Sequence, residues 1–259
     1  MDLTGKTALV TGAGSGLGEA SAHKLASLGA RVALLGRTKS ELDEVAQGIV
    51  TAGGQAQVLV ADIGDEPQMQ AAFRQLTESF GTLDIVFANA GVNGTWAPID
   101  ELTYADWSET MRINLGGTFL TTHLAVPLMK AKGGSIIITA SINGTRTFSN
   151  GGASAYATSK AGQVGYAQML ALELAPHRIR VNVVCPGAIE SEISDNTDDS
   201  ASARARYPAE YPHGKVPLTG GKPGKAEDVA ELVAFLASDA AKHITGTPIW
   251  IDGAESLLV

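Results

Sequence analysis

The sequence predicts a doubly wound α/β fold, a parallel sheet with helices on both faces, from three observations. Short apolar runs alternate with longer amphipathic segments along the chain. A glycine-rich stretch, Thr11-Gly12-Ala13-Gly14-Ser15-Gly16-Leu17-Gly18, joins the first apolar run to the first helical pattern. Small and polar residues then recur just after later apolar runs, where the ligand crevice of such a sheet opens beyond the carboxyl ends of its strands.

Apolar runs of strand length fall at residues 7–10, 32–35, 58–61, 85–88, 135–139 and 181–184. Helical patterns fall at 16–28, 40–52, 66–80, 104–132, 155–174 and 226–237. Continuous apolar strands indicate a sheet buried on both faces, and right-handed crossovers wind such units to either side of the first strand. Nothing divides the 259 residues, so one domain is expected. The single long irregular stretch, about 188–225, is rich in Asp, Ser, Pro, Gly and Arg and is a candidate substrate lid. A formal net charge of -8 without a basic run argues against a nucleic-acid partner. Cys185 is the only cysteine, which precludes an intramolecular disulfide and fits a reducing compartment. With no signal-peptide core and no apolar run of membrane-spanning length, a cytoplasmic enzyme acting on a small molecule, with no membrane partner, is expected.

The residues at the strand ends suggest what binds there. Gly12 permits a sharp turn, Gly16 lets a pyrophosphate approach, and Gly18 lets the helix lie close on the strand. Free N–H groups at the helix start, around Ser15, Gly16 and Leu17, would face the anion. An ordinary strand-to-helix turn can carry the same glycines, so the flanking strand and helix matter. After the second apolar run stands Arg37, where an acid would favour the ribose 2′-hydroxyl of NAD and an arginine favours the 2′-phosphate of NADP. NADP is therefore expected over NAD, against the alternative that Arg37 only opens a solvated helix. Asp62 and Ile63 are placed to meet the adenine amino group and ring, or Asp62 caps the next helix together with Asp65. Asn89-Ala90-Gly91 permits close approach to the adenosine ribose, or forms a turn that stabilises the sheet edge.

A sharper constellation comprises Ser141, Tyr156 and Lys160. Tyr156 and Lys160 are one helical turn apart near a helix start, so phenol and ammonium share a face. A neighbouring cation and the helix N-terminus both favour the phenolate, which makes tyrosine a usable acid/base. Ser141 ends the preceding strand, where its hydroxyl can hold a carbonyl oxygen or a developing alkoxide. Tyr and Lys four apart are more often helix surface when they stand alone.

In order along the chain, Thr11-Gly12-x-x-x-Gly16-x-Gly18, Asp62, Asn89-Ala90-Gly91, Asn114, Ser141, Tyr156-x-x-x-Lys160 and Pro186-Gly187 resemble the motifs of the single-domain short-chain dehydrogenase/reductase family. The resemblance spans nearly the whole chain and implies a Rossmann-type fold with a seven-stranded parallel sheet, its last strand near 248–251, and a homotetramer. It implies Tyr156 as acid/base and Lys160 as the group that holds the nicotinamide ribose and depresses the phenol pKa. Ser141 would position the substrate, and Asn114 would hold a water that relays protons to solvent. Pro186-Gly187-Ala188-Ile189-Glu190-Ser191 looks like the nicotinamide clamp, with backbone groups of Ile189 and the Ser191 hydroxyl facing the carboxamide. The segment between Ser141 and Tyr156 is slightly longer than usual, and its extra residues at Asn150-Gly151-Gly152 can bulge into solvent without moving either catalytic residue, or bulge inward and take Ser141 out of reach of the substrate.

The substrate walls are expected from 92–96, 143–149 and the lid, with Trp96 and Phe148 as apolar surfaces. Arg204 and Arg206 could meet a substrate anion, and Tyr207, Tyr211 and His213 are further lid candidates. Asp195, Asp198 and Asp199 read as charged lid surface, and no metal site is expected. Ala157, Ala161 and Gly165 would let a partner helix approach closely, or seat their helix on its own sheet. The function expected is reversible hydride transfer between NAD(P)(H) and a ketone/secondary-alcohol pair, with oxoacyl, sugar or polyol, and cyclic substrates all open. The competing readings are a nucleotide-sugar epimerase or dehydratase, and a non-catalytic dinucleotide sensor.

Overall fold

Strand β1 (Thr7–Thr11) is buried at every residue, as a strand with helices over both faces must be. The computed structural model describes residues 1–148, 151–190, 197–198, 200–205, 211–212 and 214–258. After β1 come α1 (Gly16–Ser27), β2 (Arg31–Gly36), α2 (Lys39–Thr51), β3 (Gln55–Val60), α3 (Glu66–Phe80) and β4 (Ile85–Ala88). A two-residue strand β5 (Gly94–Thr95) precedes α4 (Tyr104–Met111), a π-helical turn (Arg112–Gly116) and α5 (Gly117–Met129). The chain continues through β6 (Gly134–Thr139), α6 (Ser154–Leu174), β7 (Ile179–Pro186), β8 (Thr197–Asp198), α7 (Ala226–Ala237) and β9 (Pro248–Ile251).

Seven parallel strands form one sheet in the order β3-β2-β1-β4-β6-β7-β9. The winding reverses between β1 and β4, so the carboxyl ends of these two strands flank the crevice characteristic of doubly wound sheets. Alternate residues of each strand serve opposite layers. Leu9, Leu35, Val86, Ile136 and Val183 pack with Met69 and Phe73 of α3, Met129 of α5 and Ala171 of α6. Ala8, Val10, Leu34, Phe87 and Ile137 pack with Leu25 of α1, Leu42 and Ile49 of α2, and Val233 of α7.

Local chemistry sets the element ends. Asp65 accepts the Gln68 N–H at 3.0 Å to start α3, Pro67 lies in its first turn, and Gly81 closes it at φ 71°. Asp65 is thus the cap, and Asp62 is not. Strand β3 begins three residues before the expected position because it is the edge strand, where the solvent-facing Gln55 and part-exposed Gln57 are tolerated. Strand β7 extends beyond the expected 181–184 in both directions, since β6 and β9 pair with it on either side.

The helix expected over 104–132 is interrupted. Residues Arg112–Gly116 form a π turn, and the extra residue per turn rotates the following helix relative to the preceding one. Asn114 anchors the turn because its side-chain amide is bonded outside the helix. The lid also contains order that no apolar run signals. Strand β8 pairs with β5, and the Trp96 N–H donates to the Asp198 carbonyl at 2.8 Å.

Phe87, fully buried on β4 beside the strand-order reversal, tests this packing. Phe87→Ala is expected to cost about 3–5 kcal/mol in urea unfolding with an unchanged m value. A loss below about 1 kcal/mol would contradict the close packing of that layer.

Candidate active site

The turn from β1 to α1 is closed so tightly that two glycines are required. Gly12 has φ +64°, and a Cβ on Gly18 would lie 1.9 Å from the Gly12 carbonyl oxygen. The helix start is therefore pressed against the end of β1. The Ser15 side chain makes no cap hydrogen bond. Thr11 Oγ1 accepts the N–H groups of Asn89 and Ala90, both at 3.0 Å. Asn89 Nδ2 donates to the Thr11 carbonyl at 3.2 Å, and Thr139 Oγ1 donates to Asn89 Oδ1 at 3.2 Å. These bonds stitch β1, β4 and β6 together at their carboxyl ends, the sheet-stabilising role open for Asn89.

A cavity of about 570 Å³ runs along these strand ends. Gly36, Arg37, Asp62 and Ile63 line one end, Ser15, Gly16 and Leu17 the middle, and Ser141, Tyr156, Lys160, Pro186, Gly187 and Ile189 the other. Gly12, Asn89, Ala90 and Gly91 form the floor between them, while Gly18 supports the loop without lining the cavity. An elongated crevice passing over a glycine-walled helix N-terminus fits a dinucleotide, with its pyrophosphate at the helix start.

At the far end Ser141, Tyr156 and Lys160 meet, all buried. The Ser141 side chain stands beside the Tyr156 phenol, and Ser141 Oγ accepts the Asn143 N–H at 3.1 Å. Lys160 Nζ lies 5.6 Å from the Tyr156 ring centroid and donates to the Thr139 carbonyl at 2.9 Å. Burial raises the Tyr156 phenol above its ordinary value, and the Ser141 hydroxyl only partly opposes this. Burial likewise lowers the Lys160 ammonium to about 8. The expected depression of the phenol is thus reversed in this structure, because desolvation outweighs an amine that points at a backbone carbonyl.

Asn114 is fully buried and heavily bonded. Its Oδ1 accepts the Val92 N–H at 2.9 Å, and its Nδ2 donates to the Val92 carbonyl and Ser159 Oγ, each at 2.9 Å. Its own carbonyl accepts from Gln163 Nε2 at 3.0 Å and Thr118 Oγ1 at 2.7 Å. A Cβ on Gly91 would lie 3.0 Å from Asn114 Oδ1 and 3.5 Å from Lys160 Nζ, so this glycine separates the two groups.

Comparisons with known proteins agree with this geometry. A family profile described as enoyl-(acyl carrier protein) reductase matches residues 12–254. Levodione reductase of Leifsonia aquatica is 35% identical over 257 residues, covering 98% of this chain and 95% of that protein. The crystal structure of a 3-ketoacyl-ACP reductase from Sinorhizobium meliloti 1021 superposes with TM-score 0.94 at 55% identity, covering 98% of this chain and all of that one. The chain belongs to the short-chain dehydrogenase/reductase family. It is an NAD(P)-dependent oxidoreductase of the ketone/alcohol type. Two further family structures carry dinucleotides. A Brucella melitensis 3-ketoacyl-(acyl-carrier-protein) reductase, 31% identical with TM-score 0.86 over 98% of this chain and all of that one, is complexed with NADH. A Burkholderia cenocepacia short-chain dehydrogenase, 34% identical with TM-score 0.85 over 98% of each chain, is in complex with NADP.

The remaining site residues of this dehydrogenase/reductase sort by what they touch. Around Ile189, the Gly224 N–H donates to the Ala188 carbonyl and the Glu190 N–H to the Gly224 carbonyl, both at 2.9 Å. Neither bond uses the N–H or carbonyl of Ile189 itself. Glu255, which no sequence pattern singles out, braces this loop from below. It is 4% exposed, accepts the Ala188 N–H at 2.6 Å, and pairs with Lys215 at 3.0 Å. Asp62 Oδ1 accepts the Gly64 N–H at 2.9 Å, and its Oδ2 pairs with Arg112 at 3.2 Å. Burial works to raise the Asp62 carboxyl, but these partners outweigh it and hold the group below its ordinary value. Ile63 both lines the cavity and packs on Gly117. Arg112 escapes sequence reasoning, although its spacing of three from Glu109, with which it pairs, is a helix-pair signal.

The long segment after Ser141 leaves the hydroxyl in reach of Tyr156. Thr145 Oγ1 donates to the Ser141 carbonyl at 2.6 Å and accepts from Trp250 Nε1 at 3.1 Å, which holds the turn down. Gly151 and Gly152 do not bulge into solvent. Gly152 packs on Ala97, whose N–H donates to its carbonyl at 3.1 Å and gains a partner by the contact. Trp96 packs beside Tyr156 with ring centroids 6.2 Å apart, whereas Phe148 is 75% exposed. Arg204 pairs with Glu101, so its guanidinium is already engaged. Asp198 and Tyr211 are described, and the Asp198 carboxylate accepts from Ser200. Ser149, Asn150, Ser191, Asp195, Asp199, Arg206, Tyr207 and His213 lie outside the described residues.

A lysine held below its unfolded-state pKa leaves the unfolded chain with more bound protons between about pH 8 and about pH 10. Its contribution to stability therefore rises with pH across that window. The unfolding free energy of wild type relative to Lys160→Met should move in the wild type's favour from about pH 8 to about pH 10 in denaturant titrations. A difference that does not change with pH would contradict the desolvation of Lys160.

Proposed function

We propose that Ser141, Tyr156, Lys160 and Asn114 catalyse the reversible interconversion of a ketone and a secondary alcohol in one catalytic domain, with residues 188–225 as a substrate lid. The observation that carries this reading is that Ser141, Tyr156 and Lys160 line the end of a crevice that also passes over the glycine turn. A bound nicotinamide dinucleotide supplies or accepts the hydride. In reduction Tyr156 donates its phenol proton to the carbonyl oxygen, while the Ser141 hydroxyl hydrogen-bonds the same oxygen as negative charge develops on it. A phenol that burial keeps protonated suits this acid role. In oxidation the phenol must give up its proton, and Lys160, with its pKa of about 8, carries a charge at neutral pH that favours the phenolate. Asn114 Oδ1 and Lys160 Nζ flank Gly91, which supports a proton route from Lys160 past Asn114.

The dinucleotide is held by Gly12, Ser15, Gly16, Leu17 and Gly18 at its pyrophosphate, and by Asp62, Ile63, Asn89, Ala90 and Gly91 at its adenosine. Tyr156, Lys160, Pro186, Gly187, Ile189 and Ser191 hold its nicotinamide half. Arg37 on the cavity wall supports NADP over NAD. Trp96 is packed into the core beside Tyr156 and does not line the cavity, whereas Val92 does. A cytoplasmic homotetramer completes the proposal. Ala161 and Gly165 are solvent-facing, which supports a partner helix there, while Ala157 packs against Gly144 of the same chain. Exposed Met169 and Leu172 on α6 and Phe119 on α5 add apolar surface suited to a partner.

Nicotinamide absorbance followed against a panel of ketones and secondary alcohols tests the activity directly. Tyr156→Phe should lower kcat by about 10²- to 10⁴-fold while dinucleotide Kd changes by less than about threefold. Turnover retained in that variant would remove Tyr156 from the proposed role.

A further inference from the structure

Glu41 is the third residue of α2, three after its N-cap Thr38. Thr followed three residues later by Glu is the spacing of a capping box, in which the carboxylate accepts the cap N–H. That arrangement does not form. The Thr38 side chain makes no cap hydrogen bond, and Glu41 has no hydrogen-bond or ion-pair partner among the described residues. Glu41 instead lies against the glycine loop, from its Cβ to its carboxylate. A Cβ built on Gly14 would lie 2.8 Å from Glu41 Oε2 and 2.9 Å from Glu41 Cβ, so the absent side chain of Gly14 is what admits the carboxylate.

Gly14, Arg37, Thr38 and Glu41 line the same cavity, at the end where Asp62 and Ile63 also stand. Arg37 likewise forms no hydrogen bond or ion pair among the described residues. An anion without a partner therefore faces the same part of the crevice as a guanidinium whose charge also acts, without contact, on the Asp62 and Glu109 carboxylates. In a doubly wound sheet the end of the second strand and the start of the next helix flank the adenosine ribose.

We propose that Glu41 is a specificity-determining residue that opposes Arg37 in choosing between the two dinucleotides. The proposal rests on the cofactor reading above and deepens it. A carboxylate at this place accepts a hydrogen bond from the ribose 2′-hydroxyl of NAD(H) and repels the 2′-phosphate of NADP(H), whereas a guanidinium does the reverse. Arg37 attracts the 2′-phosphate, and Glu41 limits that attraction so that both dinucleotides bind. Glu41 is exposed, so solvent and salt screen its charge and the discrimination is about tenfold rather than many thousandfold.

The test is equilibrium titration of the full chain with NADPH and with NADH, without substrate, for wild type, Glu41→Gln and Arg37→Gln. In Glu41→Gln the NADPH Kd should fall about tenfold while the NADH Kd stays the same or rises, and the gain should shrink as salt is raised. Arg37→Gln should weaken NADPH about tenfold and leave NADH within about threefold. Equal shifts for both dinucleotides in Glu41→Gln would assign Glu41 to packing against Gly14 and overturn the proposal, as would no shift in their ratio. If wild type binds neither dinucleotide, the cofactor reading itself falls, and that result is distinct from either of the others.

Discussion

The contact on which the site depends is the approach of α1 to the end of β1. Only hydrogen fits at Gly18, because a Cβ there would overlap the Gly12 carbonyl at 1.9 Å. That closeness fixes the direction of the helix and presents its N-terminus to the crevice at the strand-order reversal. Thr11, one residue before the turn, binds the first N–H groups beyond β4, and Asn89 reaches on to Thr139 at the end of β6. The floor of the crevice is therefore one hydrogen-bonded seam across three strands. Its far end passes directly to Ser141 and to the carbonyl that holds Lys160.

Rigidity there is obtained at an electrostatic cost. Tyr156, Lys160 and Asn114 are all withdrawn from water, and the first two are pushed toward their neutral forms. What makes this tolerable is that their polar atoms have protein partners. Asn114 is bonded at both ends of its amide and Lys160 at the Thr139 carbonyl, and the Ser141 hydroxyl stands beside the Tyr156 phenol. The π turn belongs to the same solution, since it aims Asn114 at both Val92 and Ser159. Glu255 plays the corresponding part beneath the Pro186–Ile189 loop, where a buried carboxylate holds the Ala188 N–H and ties the chain end to Lys215.

Much of this was legible in the sequence because its signals are local. Apolar runs mark six of the seven sheet strands, with β3 and β7 misjudged at their ends because edge and central positions are tertiary properties, and the last strand came from the family resemblance. The glycine turn and the Tyr156–Lys160 pair carry their geometry in their spacing. The π turn was not legible, since one inserted residue shifts the apolar period of a long helix without erasing it. Glu255 and Arg112 were also missed, because each reaches a segment distant in sequence. The direction of the Tyr156 shift was misread for a related reason. Neighbouring charge is visible along a helix, but desolvation by the layers packed over it is not.

The central claim is that the crevice over the glycine turn seats a dinucleotide so that its nicotinamide lies beside Tyr156. A crystal structure of the protein soaked with NADP or NAD tests it most directly. The account predicts the pyrophosphate against the backbone N–H groups at the start of α1, and the nicotinamide between Tyr156 and the Ile189 backbone. Dinucleotide bound elsewhere, or seated with its nicotinamide at the Arg37 end, would contradict it.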